Sequence, residues 1–175
     1  MRSRRRSLSG FTLIETLLVL GAVTIAILGV LGAHTASASL NRTNHDSVIA
    51  ARAIRVRMEE VAAADVTQVV ALFDALTDND PAGPGTAPGA TFAVTNVSAD
   101  SLGRRGTVEL PLNSGVVRED VVDATLGMPR DLNGDGLIDA LDHTTDFKIL
   151  PVVVRLRWNG VNGDRETLLA TVLYR

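Results

Sequence analysis

An uninterrupted apolar run near the N-terminus constrains this chain more than any other feature. No charged residue occurs at positions 16–33, and these 18 residues are mostly Leu, Val, Ile, Ala and Gly. As a helix the run would be about 27 Å long, close to the ~30 Å hydrocarbon core of a bilayer. The sequence therefore predicts a transmembrane helix, and it leaves the globular core to the rest of the chain.

The charges on the two sides of this run differ in sign. The first ten residues, MRSRRRSLSG, contain Arg2, Arg4, Arg5 and Arg6 and no acid. Such a cluster holds an N-terminus on the cytoplasmic side of a membrane. After Gly10 there are 13 basic and 20 acidic residues. We expect no nucleic-acid partner for this acidic body, because phosphate contacts need clustered Lys and Arg.

Similar apolar runs occur in cleaved secretory signals and in plain membrane anchors. A secretory signal has an apolar region of about 7–15 residues before a small-residue cleavage site, such as 33–38 would offer. A plain anchor fits the observed length better. Neither class explains Glu15, because a carboxylate at full membrane depth costs about 2.5–3.5 kcal/mol. The alternative is that Glu15 has no specific role and that its carboxylate only reaches the water at the membrane interface.

The residues around Glu15 resemble the processing signature of the type IV pilin family, which includes pilus subunits and the pseudopilins of type II secretion. They read Gly10-Phe11-Thr12-Leu13-Ile14-Glu15. The resemblance implies that a prepilin peptidase, a membrane aspartyl peptidase, cuts after Gly10 and N-methylates Phe11. It also implies that the hydrophobic helix stays on the mature protein and assembles with the helices of other subunits.

Elementary chemistry agrees with these residue types. Glycine before the cut lets an extended backbone enter a protease cleft without a side-chain clash. Cleavage creates an α-amine at Phe11 with a reference pKa near ~8. In a filament of parallel helices this cation can meet the Glu15 carboxylate of a neighbouring subunit, so that two buried charges offset each other. We therefore expect a minor pilin or pseudopilin in the bacterial inner membrane, with a single pass, a cytoplasmic N-terminus and a periplasmic head.

The predicted organisation has four parts: a leader at 1–10, a transmembrane and filament-core helix at 11–38, an amphipathic continuation of that helix at 39–76, and a β-rich head at 77–175. Within the third part the long helix is predicted to extend to about Ala64, and 66–76 are either its end or a short helix after it. Leu40, Ser47, Ile54 and Val61 recur every seven residues, which indicates a helix with one apolar face. Three prolines and three glycines within 77–89 predict a loop.

Four strands are predicted in the head, at 91–97, 106–112, 147–158 and 166–174. Apolar residues alternate along the third, as expected for a half-buried antiparallel strand, and Trp158 is its predicted core anchor. Turn residues at 159–164 predict a C-terminal hairpin. The fold class is α+β, a long N-terminal helix packed on a small antiparallel sheet, which is also what the pilin resemblance implies.

Residues 131–142, DLNGDGLIDALD, match the spacing of an EF-hand or dockerin-like calcium loop. Calcium takes six to eight oxygen ligands, and glycine at the sixth place permits the sharp turn that gathers them. The last place holds Asp where Glu is usual, and a solvated acidic turn is the alternative. The predicted ligands are Asp131, Asn133, Asp135, Leu137 through its carbonyl, Asp139 and Asp142.

The rest of the sequence argues against catalysis. The absence of cysteine excludes disulfides, zinc–thiolate sites and cysteine nucleophiles, so structural calcium would supply the staple that disulfides cannot. His143 has no partner at a metalloenzyme spacing, and His34 and His45 read as surface residues. We expect a protein that is not an enzyme. A membrane-anchored calcium-binding module that never polymerises is the alternative function.

Overall fold

The chain divides into two units after Arg42, and the second unit is Thr43–Arg175. A computed structural model describes residues 12–175. The helix α1 (Leu13–Ala63) contributes residues to both units. Its N-terminal part is the described portion of the first unit.

In the first unit α1 exposes every side chain between 12 and 38. Its hydroxyl groups bond back to helix carbonyls: Thr16 donates to Leu13, and Thr24 donates to Leu20. Such bonds satisfy a hydroxyl within its own helix, so that no external partner is needed in an apolar surrounding.

In the second unit α1 is amphipathic, as predicted. Ala50, Ile54, Met58 and Val61 are buried, at the spacing of one helix face. The predicted stripe is too long, however, because Leu40 at its start is 61% exposed.

The sequence left residues 66–76 as either the end of the long helix or a short helix after it, and the structure has the second arrangement. The long helix ends at Ala63, and a separate short helix, α2, spans Val69–Phe73. Between them the Asp65 carboxylate accepts hydrogen bonds from the amide and the hydroxyl of Thr67. A side chain that bonds to the backbone two residues on offers a turn in place of the next helical turn.

The head contains a four-stranded antiparallel sheet in the order β1-β2-β5-β6 and a separate two-stranded ribbon. The α+β layout, with one long N-terminal helix and an antiparallel sheet, is therefore observed. The sheet strands are β1 (Thr91–Phe92), β2 (Gly106–Glu109), β5 (Ile149–Gly160) and β6 (Gly163–Tyr174), and the ribbon is β3 (Leu112–Asn113) with β4 (Val116–Val117).

Two strands are shorter than the sequence predicted. Strand β1 stops at Phe92, and the chain then turns, with Asn96 at a φ of 65°. Strand β2 stops at Glu109, before Pro111, which has no amide hydrogen to continue a ladder. The segment after this proline begins the ribbon instead.

The C-terminal hairpin is present, with Gly160 opposite Gly163 at its turn. Strand β5 is more deeply buried than the predicted half-buried strand, because Val152, Val153 and Val154 are all fully buried. Trp158 is 4% exposed and belongs to the core, as predicted. This core also includes the buried face of α1 and the three buried residues of α2, Val69, Val70 and Phe73.

A close approach fixes the other edge of the sheet. Phe92 lies opposite Gly106 in the β1–β2 register, and a Cβ on this glycine would meet the Phe92 ring at 2.4 Å. Only glycine leaves room for the ring over the strand. The ring in turn lies 5.4 Å from the guanidinium carbon of Arg57 on α1.

Candidate functional site

The first candidate feature is the apolar surface of α1. Among the described residues this helix is long and apolar enough to cross a membrane, and its apolar window is unburied within the chain. Leu13 is 80% exposed, and Ile25 is 73% exposed. Exposure of this apolar surface to water costs roughly 25 cal/mol of free energy per Å². The segment is therefore suited to contact with lipid or with other helices.

Glu15 lies in the first turn of this helix. Its amide donates to the Thr12 hydroxyl at 3.3 Å and to the Thr12 carbonyl at 3.1 Å, which begins the helix. The Glu15 carboxylate accepts no hydrogen bond from residues 12–175 and is exposed. Thr12 and Glu15 have the spacing of a capping box, but only the bond to the threonine hydroxyl is made. Gly10 and Phe11, the predicted processing residues, lie outside the described residues.

The second candidate feature is the loop 131–142. The Asp131 carboxylate accepts hydrogen bonds from the amides of Gly134, at 2.5 Å, and Gly136, at 2.8 Å. These bonds, that from Gly136 foremost, hold the pKa of Asp131 below its usual value. Gly134 and Gly136 both have positive φ, at 74° and 87°, which lets the backbone wrap around this carboxylate.

The other predicted ligands make short local bonds. The Asn133 amide group donates to Asp135 at 3.2 Å, Asp135 accepts from the Leu137 amide, and Asp142 accepts from the Thr144 amide. The ammonium of Lys148 lies close to Gly134 and lowers the pKa of Asp131 further. The side chains of Asp131, Asp135 and Asp142 are thus oxygen donors on one loop, but they do not converge on one point with Asp139.

The structure brings Asp139 into a different group, with Glu119 and His143. One ligand atom from each lies within 4.8 Å of the others, so these three side chains could hold a metal ion. His143 Nε2 is 3.0 Å from Asp139 Oδ1 and 3.9 Å from Glu119 Oε2. Glu119 and His143 are buried, at 1% and 3% exposed.

Three segments of the head position this group. Glu119 follows β4, and its Oε1 accepts hydrogen bonds from the amides of Leu132, at 2.6 Å, and Asn133, at 3.1 Å. His143 donates its amide to the carbonyl of Val117 in β4 at 2.9 Å. The start of the loop 131–142, called the acidic loop below, is therefore bonded to Glu119. His143, directly after the loop, is bonded to Val117, two residues away from Glu119.

Opposing effects act on the pKa of His143. Burial lowers it, but hydrogen bonds to Asp139 and Asp146 and the charge of Glu119 outweigh burial and raise the pKa above its ordinary value. Three carboxylates thus surround one imidazole. The expectation that His143 lacks partners is wrong.

Sequence reasoning missed this group for a physical reason. Asp139 and His143 are four residues apart, but the chain there is not helical, so that spacing alone carried no signal. Glu119 is distant in sequence and reaches the group only through the fold. Glu119 lies between two charged residues, Arg118 and Asp120, a sequence context that predicts an exposed side chain.

Comparison of the chain with protein-family models, with curated proteins and with solved structures finds no match.

Proposed function

We propose that this chain is a minor pilin or pseudopilin, a structural subunit that is processed after Gly10 and assembled through its N-terminal helix into a type IV pilus or a type II secretion pseudopilus. The observation that carries the proposal is the exposed apolar surface of α1 with Glu15 in its first turn. The junction 10–15, with the pilin-type signature, adds a specific processing chemistry to that surface.

A single carboxylate at the start of an apolar helix needs a cation when lipid or other helices surround it. Cleavage after Gly10 would supply one, the α-amine of Phe11, four residues from Glu15. In a filament of parallel subunits this amine meets the Glu15 of a neighbour. The pairing satisfies both groups and sets the axial position of one helix against the next.

We propose in addition that the head binds one structural calcium ion in the loop 131–142. Support comes from the oxygen spacing of the loop, its two glycines with positive φ and the amide bonds that hold Asp131 in place. Lys148 close to Gly134 counts against a high affinity, because its charge opposes that of a bound cation.

The alternative function is a membrane-anchored calcium-binding module that does not polymerise. Both functions use the apolar helix and the loop, so Glu15 is the residue that separates them. A monomeric anchor gains nothing from a carboxylate in its apolar segment, whereas a filament subunit uses it to pair with a neighbour.

Replacement of Glu15 by leucine tests the choice. Glu15→Leu makes the segment more apolar, so that membrane insertion is retained, but it removes the partner of the neighbour's α-amine. Thr24→Leu is the matched control, because Thr24 bonds only to Leu20 of its own helix. Sheared filaments and membranes from the native host are compared by quantitative immunoblot. Glu15→Leu should be lost from filaments but not from membranes; undiminished filament content would refute the assembly role.

A further inference from the structure

The group Glu119, Asp139 and His143 differs in chemistry from the calcium loop beside it. A calcium ion prefers oxygen ligands, whereas an imidazole nitrogen suits zinc and the neighbouring transition metals. We propose that these three side chains bind one zinc-class divalent ion, through His143 Nε2, Asp139 Oδ1 and Glu119 Oε2. This site does not depend on the proposed filament function.

The orientation of the imidazole favours a metal at Nε2. Nδ1 of His143 lies 3.1 Å and 3.3 Å from the two carboxylate oxygens of Asp146. A proton on Nδ1 donates to this carboxylate. At Nε2, an ion between Asp139 and Glu119 would take the place of the proton that the 3.0 Å contact with Asp139 holds in its absence. Metal-binding histidines are held in this way by a carboxylate on the other ring nitrogen.

Glu119 supplies an independent indication. Its side chain is 1% exposed, and its Oε1 is fixed by the amides of Leu132 and Asn133. Its Oε2 takes part in no hydrogen bond within residues 12–175 and faces Nε2 of His143 at 3.9 Å. This oxygen can therefore meet a cation, and a carboxylate on a buried side chain is stabilised when a cation pairs with it.

The distances suit a small ion after a slight contraction. Zinc bonds of about 2.0–2.2 Å in a tetrahedron separate neighbouring ligand atoms by roughly 3.3–3.6 Å. The observed separations from Nε2 are 3.0 Å and 3.9 Å, on the two sides of that value. Three protein ligands leave a fourth position for water, as zinc sites with one nitrogen and carboxylate ligands allow.

The surrounding charge also favours a divalent cation. Glu119, Asp139 and Asp146 face His143, and Arg118, whose charge also acts on Asp139, is paired with Asp120 at 2.7 Å. A divalent ion neutralises two of the three carboxylates where a single imidazolium neutralises one. A bound ion would connect Glu119, directly after β4, to Asp139 and His143 at the end of the acidic loop.

Zinc titration of the full-length chain in detergent, in excess calcium, tests the site. Calorimetry should give one zinc ion per chain, and His143→Gln should lose it. Asp146→Asn keeps all three ligands and should weaken zinc binding by about 10–100-fold, the usual effect of removing a supporting hydrogen bond. His45→Gln, at an exposed position of α1, should leave zinc affinity unchanged.

Wild-type protein that takes up no zinc in excess calcium would overturn the proposal, as would a folded His143→Gln variant that binds zinc as the wild type does. A nitrogen-15 spectrum of the wild-type imidazoles decides the matter even where His143→Gln does not fold. Zinc should shift Nε2 of one histidine, assigned by comparison with His34→Gln and His45→Gln, while its Nδ1 stays protonated. Three imidazoles unchanged by zinc would also overturn the site.

Discussion

The Nε2 atom of His143 lies 3.0 Å from Oδ1 of Asp139. Because His143 is buried, this short contact ties one carboxylate oxygen of the acidic loop to a core position of the head. The same oxygen accepts the amide of Leu141 at 2.7 Å. Asp139 therefore offers the loop only its second oxygen. Calcium in the loop would rest mainly on Asp131, Asn133 and Asp135, with Asp142 at the end.

Calcium should stabilise the folded head through this loop. A ligand that binds only the folded state adds RT ln(1 + [L]/Kd), about 2.7 kcal/mol at a hundred times Kd. Asp131→Ala and Asp135→Ala should abolish the calcium-dependent rise in the melting temperature. Magnesium should add much less, because it requires a tighter octahedron. Thermal unfolding of the full chain in detergent, with and without chelator, measures the effect.

The matched control for these variants is Asp78→Ala, an exposed carboxylate in the loop 77–89. The calcium-dependent rise in melting temperature should persist in this control. If chelator leaves the wild-type midpoint in place, the loop 131–142 is an acidic turn without calcium.

Arg57 should resist even conservative replacement. Its Nη2 donates to the carbonyls of Pro88, at 3.1 Å, and Gly89, at 2.7 Å, and its guanidinium carbon lies 5.0 Å from the centre of the Phe73 ring. Lysine cannot reproduce this planar fork. Arg57→Lys should lower the free energy of unfolding by about 1.5–3 kcal/mol, the usual value of hydrogen bonds to a charged group.

Urea unfolding of the full chain in detergent checks this, with Arg55→Lys as the control on the exposed side of the same helix. The control should change the free energy of unfolding by less than about 0.5 kcal/mol. Equal effects of the two substitutions would show that the Arg57 contacts contribute nothing specific.

Asp100 should contribute an acid-sensitive part of the stability. Burial raises the pKa of Asp100, but hydrogen bonds from the amide and guanidinium of Arg104 and from the amide of Leu102 outweigh this and hold the pKa below its ordinary value. Its contribution is therefore complete above the unfolded pKa of about 3.9 and is lost as the pH falls through the lower folded value.

Asp100→Asn should accordingly lower the melting temperature at neutral pH, and its difference from the wild type should shrink as the medium is acidified. Asp78→Asn, at an exposed position, serves as the control. A difference between Asp100→Asn and the wild type that stays constant down to the acid limb would exclude the ion pair with Arg104 as its cause.

Much of the fold could be predicted from local pattern. The apolar run predicts a helix through its composition, and the buried face of α1 follows from residues such as Ile54 and Val61. The Asn and Gly residues at 159–164 predict the C-terminal hairpin, because these residue types favour a tight turn between two strands. These signals lie within a few residues of one another, so sequence alone contains them.

The features that the sequence alone does not reveal depend on contacts that form only in the fold. Asp100 resembles any surface acid in the sequence, yet it is 5% exposed because Arg104 and two amides surround it. Glu119 meets His143 only after β4 and the acidic loop have folded together.

The mature N-terminus is the most direct test of the proposed function. On the proposed function, the junction 10–15 and the basic residues before it would present the Gly10–Phe11 bond to a peptidase on the cytoplasmic side. Gly10→Leu should leave uncut precursor in the membrane, because a bulky side chain obstructs the extended backbone at the cut. Gly21→Ala is the control within the same helix, since a Cβ at Gly21 meets nothing within 4 Å.

Mass spectrometry of the protein isolated from host membranes is the measurement that decides. We predict a mature chain that begins at N-methylated Phe11 and retains the whole apolar helix. A mature chain that begins near Ser37 or Ser39, with the helix removed, would contradict the pilin-like function altogether.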